Sequence, residues 1–168
     1  MATFGKTDIG GSTANTATTY YRVGRYTLSE DATAVSKLTA YCSGSAAAKM
    51  CLYKDSDKSL VAITNATVLG GAAWYDFTFS SPPSLTAGDY ILGVWSSTNV
   101  VTYYNTPAGS GSYETPTLGY DNFEDPLTPA SWISRDYSYY ATYTPSAGGL
   151  SIPVAVHHYN RINKVIRG

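Results

Sequence analysis

The chain has 168 residues, with 11 Lys and Arg against 12 Asp and Glu, a formal net charge of −1 and only 14% charged residues. That length suits one domain that removes roughly two-thirds of its unfolded surface from water, and the near-neutral balance excludes the broad positive field that draws proteins to nucleic acid or anionic membrane. The 16 Tyr and 15 Gly, among many Thr and Ser, point to short strands joined by tight turns, because aromatic and β-branched side chains fit a pleated surface.

Residues 1–18 form a polar stretch with no apolar h-region, and nowhere do about 20 apolar residues run together, so neither a signal peptide nor a membrane span is expected. The composition suits a protein working outside cells. Without an export signal, assembly inside a cell and release by lysis, as for virion parts, fits best, with a trimmed signal as the alternative. After this N-terminal arm, residues 20–28 read as the first strand, with Val23, Tyr26 and Leu28 inward and a bulge expected at the phase break, Gly24. Residues 34–43 and 47–54, separated by Ser43-Gly44-Ser45, read as a hairpin. Cys42 falls on the Leu38 face and Cys51 on the Lys49 face, which predicts two free thiols.

A turn at Asp55-Ser56-Asp57 precedes a strand over 60–69, and Gly70-Gly71 leads into 74–79, where Tyr75, Phe77 and Phe79 should be core and Trp74 should face away. Ser81-Pro82-Pro83 cannot continue a ladder, since proline lacks the amide donor. Strands over 89–95 and 100–104 follow, then a Gly/Ser/Pro-rich connection over 105–129 of a length that is usually functional or disordered. The last strand, 137–144, places Tyr137, Tyr139 and Tyr143 on one face. About eight strands with no long helix predict an all-β antiparallel sandwich, jelly-roll-like, over residues 19–145.

Beyond a linker at Pro145-Ser146-Ala147-Gly148-Gly149 the chain changes character. Ile152, Val154 and Val156 alternate, whereas Tyr159, Ile162, Val165 and Ile166 recur at helical spacing, with Arg161, Lys164 and Arg167 forming a basic side. Monomers rarely tolerate so much exposed apolar surface, so this tail is expected to dock on a second copy or another structural protein of the same particle.

The segments Phe4-Gly5-Lys6-Thr7, Lys37-Leu38-Thr39-Ala40-Tyr41, Ala48-Lys49-Met50-Cys51-Leu52-Tyr53, Leu85-Thr86-Ala87-Gly88-Asp89-Tyr90, Asp125-Pro126-Leu127-Thr128-Pro129 and Tyr139-Tyr140-Ala141-Thr142-Tyr143-Thr144-Pro145 resemble a family of sandwich domains found in virion proteins of tailed viruses and in large secreted prokaryotic proteins. The likeness spans roughly residues 4–145. It implies a jelly-roll-like sandwich without a catalytic signature or an agreed ligand. Ile152-Pro153-Val154-Ala155-Val156-His157-His158-Tyr159 also resembles tails appended to viral structural proteins.

Chemistry has few footholds. No Gly-x-Ser-x-Gly elbow appears, and the only histidines, His157 and His158, lie outside the expected domain, which argues against a Ser/His/Asp hydrolase. Adjacent on a strand, they point to opposite faces and share no metal without outside ligands. Gly109-Ser110-Gly111 lacks the third glycine of a dinucleotide loop. Asp121, Asn122, Glu124 and Asp125 place four oxygen-bearing side chains within five residues. Asp121, Glu124 and Asp125 are therefore candidate Ca²⁺ ligands, although turn capping before Pro126 explains them as well. Trp74, Tyr103, Tyr113, Tyr120 and Trp132, with Asp121 and Asn122, make a candidate sugar site, in which a ring packs on C–H faces while the polar groups bond hydroxyls. The alternative is that these rings fill the sandwich ends or a subunit interface. The expected function is a non-enzymatic structural or assembly protein of a virion or extracellular surface, with a carbohydrate-binding adhesin second and a hydrolase a distant third.

Overall fold

The computed structural model describes residues 1–106, 109–114 and 119–146. The basic tail, with its candidate docking residues and both histidines, lies outside the described residues, as do 107–108 and 115–118. Among the described residues, thirteen strands form two antiparallel sheets packed face to face. Sheet A contains β1 (Ala2–Gly5), β2 (Ser12–Thr16), β4 (Ala32–Ser43), β8 (Ala73–Thr78), β10 (Val100–Asn105), β12 (Asp136–Tyr137) and β13 (Tyr139–Pro145). Sheet B contains β3 (Tyr21–Leu28), β5 (Ala47–Lys54), β6 (Leu60–Ile63), β7 (Thr67–Val68), β9 (Gly88–Ser96) and β11 (Gly111–Glu114). No helix is formed among the described residues, so none is long and apolar enough to cross a membrane. The sandwich is therefore as expected in class, with thirteen strands in place of about eight.

Alternation places Leu38, Ala40 and Cys42 of β4, Phe77 of β8 and Tyr139 and Ala141 of β13 against Met50 and Leu52 of β5 and Leu92 and Val94 of β9, all fully buried between the sheets. Phe77 and Phe79 are buried as predicted, and Tyr75 packs partly buried against the same core.

The arm is where the chain departs most from expectation. Residues 2–5 pair with β13, and residues 12–16 pair with β10. Ser-Thr-Ala-Asn-Thr carries no apolar alternation, yet Thr16 is buried because its Oγ1 both donates to the Val100 carbonyl (3.1 Å) and accepts from the Val100 amide (3.2 Å). The expected hairpin at Ser43-Gly44-Ser45 is a crossing between sheets. β4 pairs with β13, β8 and β10, whereas β5 pairs with β9, β6 and β7. Both strands alternate toward the one core from opposite sides, and the pattern is the same as for a hairpin. Residues 60–69 form two strands, because Thr64 turns its side chain onto the Met50 amide (2.9 Å) and Asn65 donates to the Thr78 carbonyl (2.8 Å).

No bulge occurs at Gly24, since β3 runs against β9 in unbroken register from Arg22–Val94 to Leu28–Gly88. Both faces of β3 are buried, which mimics a phase break. Gly24, Tyr26 and Leu28 face the inter-sheet core, and a Cβ on Gly24 would lie 2.6 Å from the Tyr26 hydroxyl oxygen. Tyr21 and Val23 face outward into a second cluster, with Cys51, Tyr53, Ile91 and Trp95. Phe123 and Leu127 of the long connection close this cluster.

That connection is tied down at several of its described residues. β11 adds to the edge of β3, the Leu127 amide donates to the Lys58 carbonyl (2.9 Å), and Tyr53 Oη donates to the Glu124 carbonyl (2.8 Å). Asp121 is ion-paired to Lys49 Nζ at 2.6 Å. Sheet B is thereby covered on both sides. The outer face of sheet A has no such cover among the described residues.

Cys42 and Cys51 are free and wholly buried, on opposite sheets. Desolvation pushes the Cys42 thiol up to about 12 and raises Cys51 as well. Neither is expected to react with DTNB at neutral pH while the protein is folded, and both should react in denaturant; labelling of the native protein would contradict the burial.

Candidate functional site

The outer face of sheet A follows from alternation. Where Leu38, Ala40 and Cys42 point inward, Lys37, Thr39, Tyr41 and Ser43 point outward; β8 turns out Trp74 and Asp76, β10 turns out Val101 and Tyr103, and β13 turns out Tyr140 and Thr142. Four rings from four strands meet there. Tyr103 and Tyr41 have centroids 4.8 Å apart, Tyr41 and Trp74 5.3 Å, and Trp74 and Tyr140 5.3 Å. Interplanar angles of 78°, 68° and 63° make each contact edge-to-face, so the surface is corrugated.

Thr39 is fully covered and donates to Asp76 Oδ1 at 2.8 Å, while Lys37 Nζ donates to Asp76 Oδ2 at 2.6 Å. Desolvation raises the Asp76 carboxyl, but hydrogen bonds from Lys37 and Thr39 with the Lys37 charge outweigh it and hold the group below its ordinary value of 3.8. The folded pKa is depressed, so the contribution of this pair to stability is present above 3.8 and lost as pH falls through the lower folded value. Half exposure of Asp76 keeps that contribution small.

Tyrosine hydroxyls are satisfied unevenly across the sandwich. Tyr21 and Tyr53 share a hydrogen bond, and Tyr26, Tyr75, Tyr90 and Tyr120 donate to main-chain carbonyls. The hydroxyls of Tyr41, Tyr103 and Tyr140 and the indole N–H of Trp74 make no hydrogen bond within the described residues. Two residues along β4 and β10 from Tyr41 and Tyr103, an open depression of about 600 Å³ is lined by Ser43, Gly44, Ser45, Leu69, Gly70, Gly71, Asn99 and Val101.

The seven residues expected to form one sugar site are divided between opposite faces. Trp74 and Tyr103 lie on sheet A. Tyr113 packs on Tyr20 and under Arg22 on the sheet B side. Tyr120 sits edge-on to Trp95 at 5.4 Å, and its hydroxyl is raised by desolvation and by Asp121. Trp132 lies beneath the Arg25 guanidinium at 4.2 Å. Asn122 closes a turn through its side-chain bond to the Gly119 carbonyl. Tyr120 and Trp132 pack against the second cluster and Tyr113 lies outside it on Tyr20 and Arg22, which parts them from Trp74 and Tyr103.

The candidate Ca²⁺ ligands are also parted. Asp121 pairs with Lys49, and Asp125 accepts from the Leu60 amide at 2.9 Å. No three His, Cys, Asp or Glu side chains converge as a metal site among the described residues. A second depression, of about 340 Å³, is lined by Gly5, Lys6, Arg25, Tyr26, Thr27 and Asp136. Its charges are spent on each other and on neighbours: Lys6 on Asp8 and Asp136, Arg25 on Asp55 at 2.8 Å.

Tyr41 and Tyr140 are the members of the aromatic cluster that sequence reasoning missed. Each sits between inward residues, Tyr41 between Ala40 and Cys42 and Tyr140 between Tyr139 and Ala141, and that alternation was the available signal. Neither a family model nor a curated protein sequence matches the chain.

Proposed function

We propose that this chain is a non-enzymatic binding module of an assembled surface, virion or extracellular, which works by presenting the outer face of sheet A to a partner. The observation that carries this reading is the asymmetry of the sandwich. A connection tied by hydrogen bonds and an ion pair seals the outer face of sheet B, while the opposite face leaves a contiguous cluster of four partly buried rings open. Aromatic side chains with unpartnered polar tips are enriched where surfaces meet partners, because they supply contact area at low entropic cost. The resemblance to virion and secreted sandwich domains supports the same reading, as does the expected docking tail.

Hydroxyl-radical footprinting checks it. In the isolated chain Trp74 and Tyr103 are expected to oxidise readily and Trp95 to resist; in the particle or surface fraction that carries the chain, Trp74 and Tyr103 should become protected several-fold. Equal oxidation of Trp74 in both states overturns the reading.

A further inference from the structure

We infer that the partner of the open face is a neutral glycan, whose sugar rings pack on Trp74, Tyr41 and Tyr103 and whose hydroxyls bond the polar groups around them. This inference rests on the reading of sheet A as the contact face, and it goes further by naming the ligand class. Three observations point to a glycan. First, Val101 is the only branched aliphatic side chain that β4, β8, β10 and β13 turn outward; the rest of the face is aromatic rings and small or neutral polar side chains, with the Lys37–Asp76 pair. A pyranose ring offers one apolar C–H face to an aromatic ring and a rim of hydroxyls to neutral donors and acceptors, which is the chemistry this face presents.

Second, the polar tips of Trp74, Tyr41, Tyr103 and Tyr140 are unpartnered within the described residues and lie together on one partly exposed face, whereas the hydroxyls of Tyr26, Tyr75 and Tyr90 are taken up by main-chain carbonyls. Third, two residues along β4 and β10 from Tyr41 and Tyr103 lies the open depression, whose lining pairs the hydroxyl and amide side chains of Ser43, Ser45 and Asn99 with the apolar Leu69 and Val101. The one charge pair near the rings, Lys37–Asp76, is closed on itself at 2.6 Å. The face therefore selects against sulfated or uronic-acid chains, which gain nothing from a neutralised lysine. Edge-to-face rings make a corrugated surface, which suits a chain lying across them better than a flat crystalline polymer.

The test is an array of defined neutral and acidic oligosaccharides, followed by titration calorimetry with the neutral oligosaccharide giving the strongest signal. The full chain is expected to bind neutral oligosaccharides, longer ones more tightly than monosaccharides. Trp74→Ala should weaken binding at least ten-fold with the melting temperature kept, and Tyr113→Ala, on the opposite side, should leave it unchanged. Should Trp74→Ala lower the melting temperature, the double variant Tyr41→Phe, Tyr103→Phe keeps the rings and removes two free hydroxyls; it should bind several-fold more weakly, and an unchanged affinity overturns the inference. A Trp74→Ala protein that folds and binds as tightly as the wild type also overturns it. A wild type silent across the array with Trp74 still protected in the native fraction overturns the glycan alone; silence together with equal oxidation overturns the contact face as well.

Discussion

Replacing Trp95 by alanine is expected to cost about 3–5 kcal/mol, among the largest losses any single truncation in this chain can produce. Trp95 is fully buried on the outer side of sheet B, stacked on Tyr21 with centroids 4.9 Å apart and edge-on to Phe123 at 5.2 Å. Its Nε1 donates to the Thr18 carbonyl at 3.2 Å. Removal opens a void beneath a connection that has few ways to collapse, because Tyr53, Lys49 and Lys58 hold it at separate points. Urea unfolding should show the loss, and limited proteolysis should show faster cleavage within residues 119–134. A cost below about 1 kcal/mol would mean that the outer cluster is not part of the cooperative unit.

Phe77→Ala should cost a similar ~3–5 kcal/mol, by a different route. Phe77 is fully buried between the sheets, opposite Leu38 in the β4–β8 register, so the void lies in the principal core, where neither sheet can close over it without shifting the other. The neighbours give the control. Asp76→Ala and Thr78→Ala remove outward side chains and should cost about 1 kcal/mol or less. Thermal melts in which Phe77→Ala is mild and Thr78→Ala unfolds the protein would place the strand one residue out of phase.

Legibility in the sequence followed the strength of the apolar alternation. Residues 74–79, with Tyr75, Phe77 and Phe79 against Asp76 and Thr78, announced both strand and phase, and β5 fell at residues 47–54 as expected. β2 was invisible because its residues are small and polar and its buried member, Thr16, is satisfied by a main-chain exchange with Val100 that no pattern encodes. β3 misled for the opposite reason: Tyr21 and Val23 are as buried as Tyr26 and Leu28, since a distant segment covers their face. The candidate sugar site is divided for a related reason. Aromatic residues near in sequence, such as Tyr113, Tyr120 and Trp132, were grouped together, whereas the rings that meet, Tyr41, Trp74, Tyr103 and Tyr140, come from strands far apart in the chain.

The pairing of β1 with β13 has a mechanical side. Ala2 lies opposite Tyr143 and Gly5 opposite Tyr140, so residue 2 and residue 145 leave the sandwich at the same end of one antiparallel ladder. Tension applied through these two points loads the ladder's bonds in sequence, from Ala2–Tyr143 inward, rather than all at once in shear. Peeling stops being easy at β4, whose ladder to β13 is longer and whose inward side chains are locked in the core. A chain anchored at both points therefore has a built-in extensible corner: Ala2–Gly5 can pay out under load while the aromatic face keeps its shape.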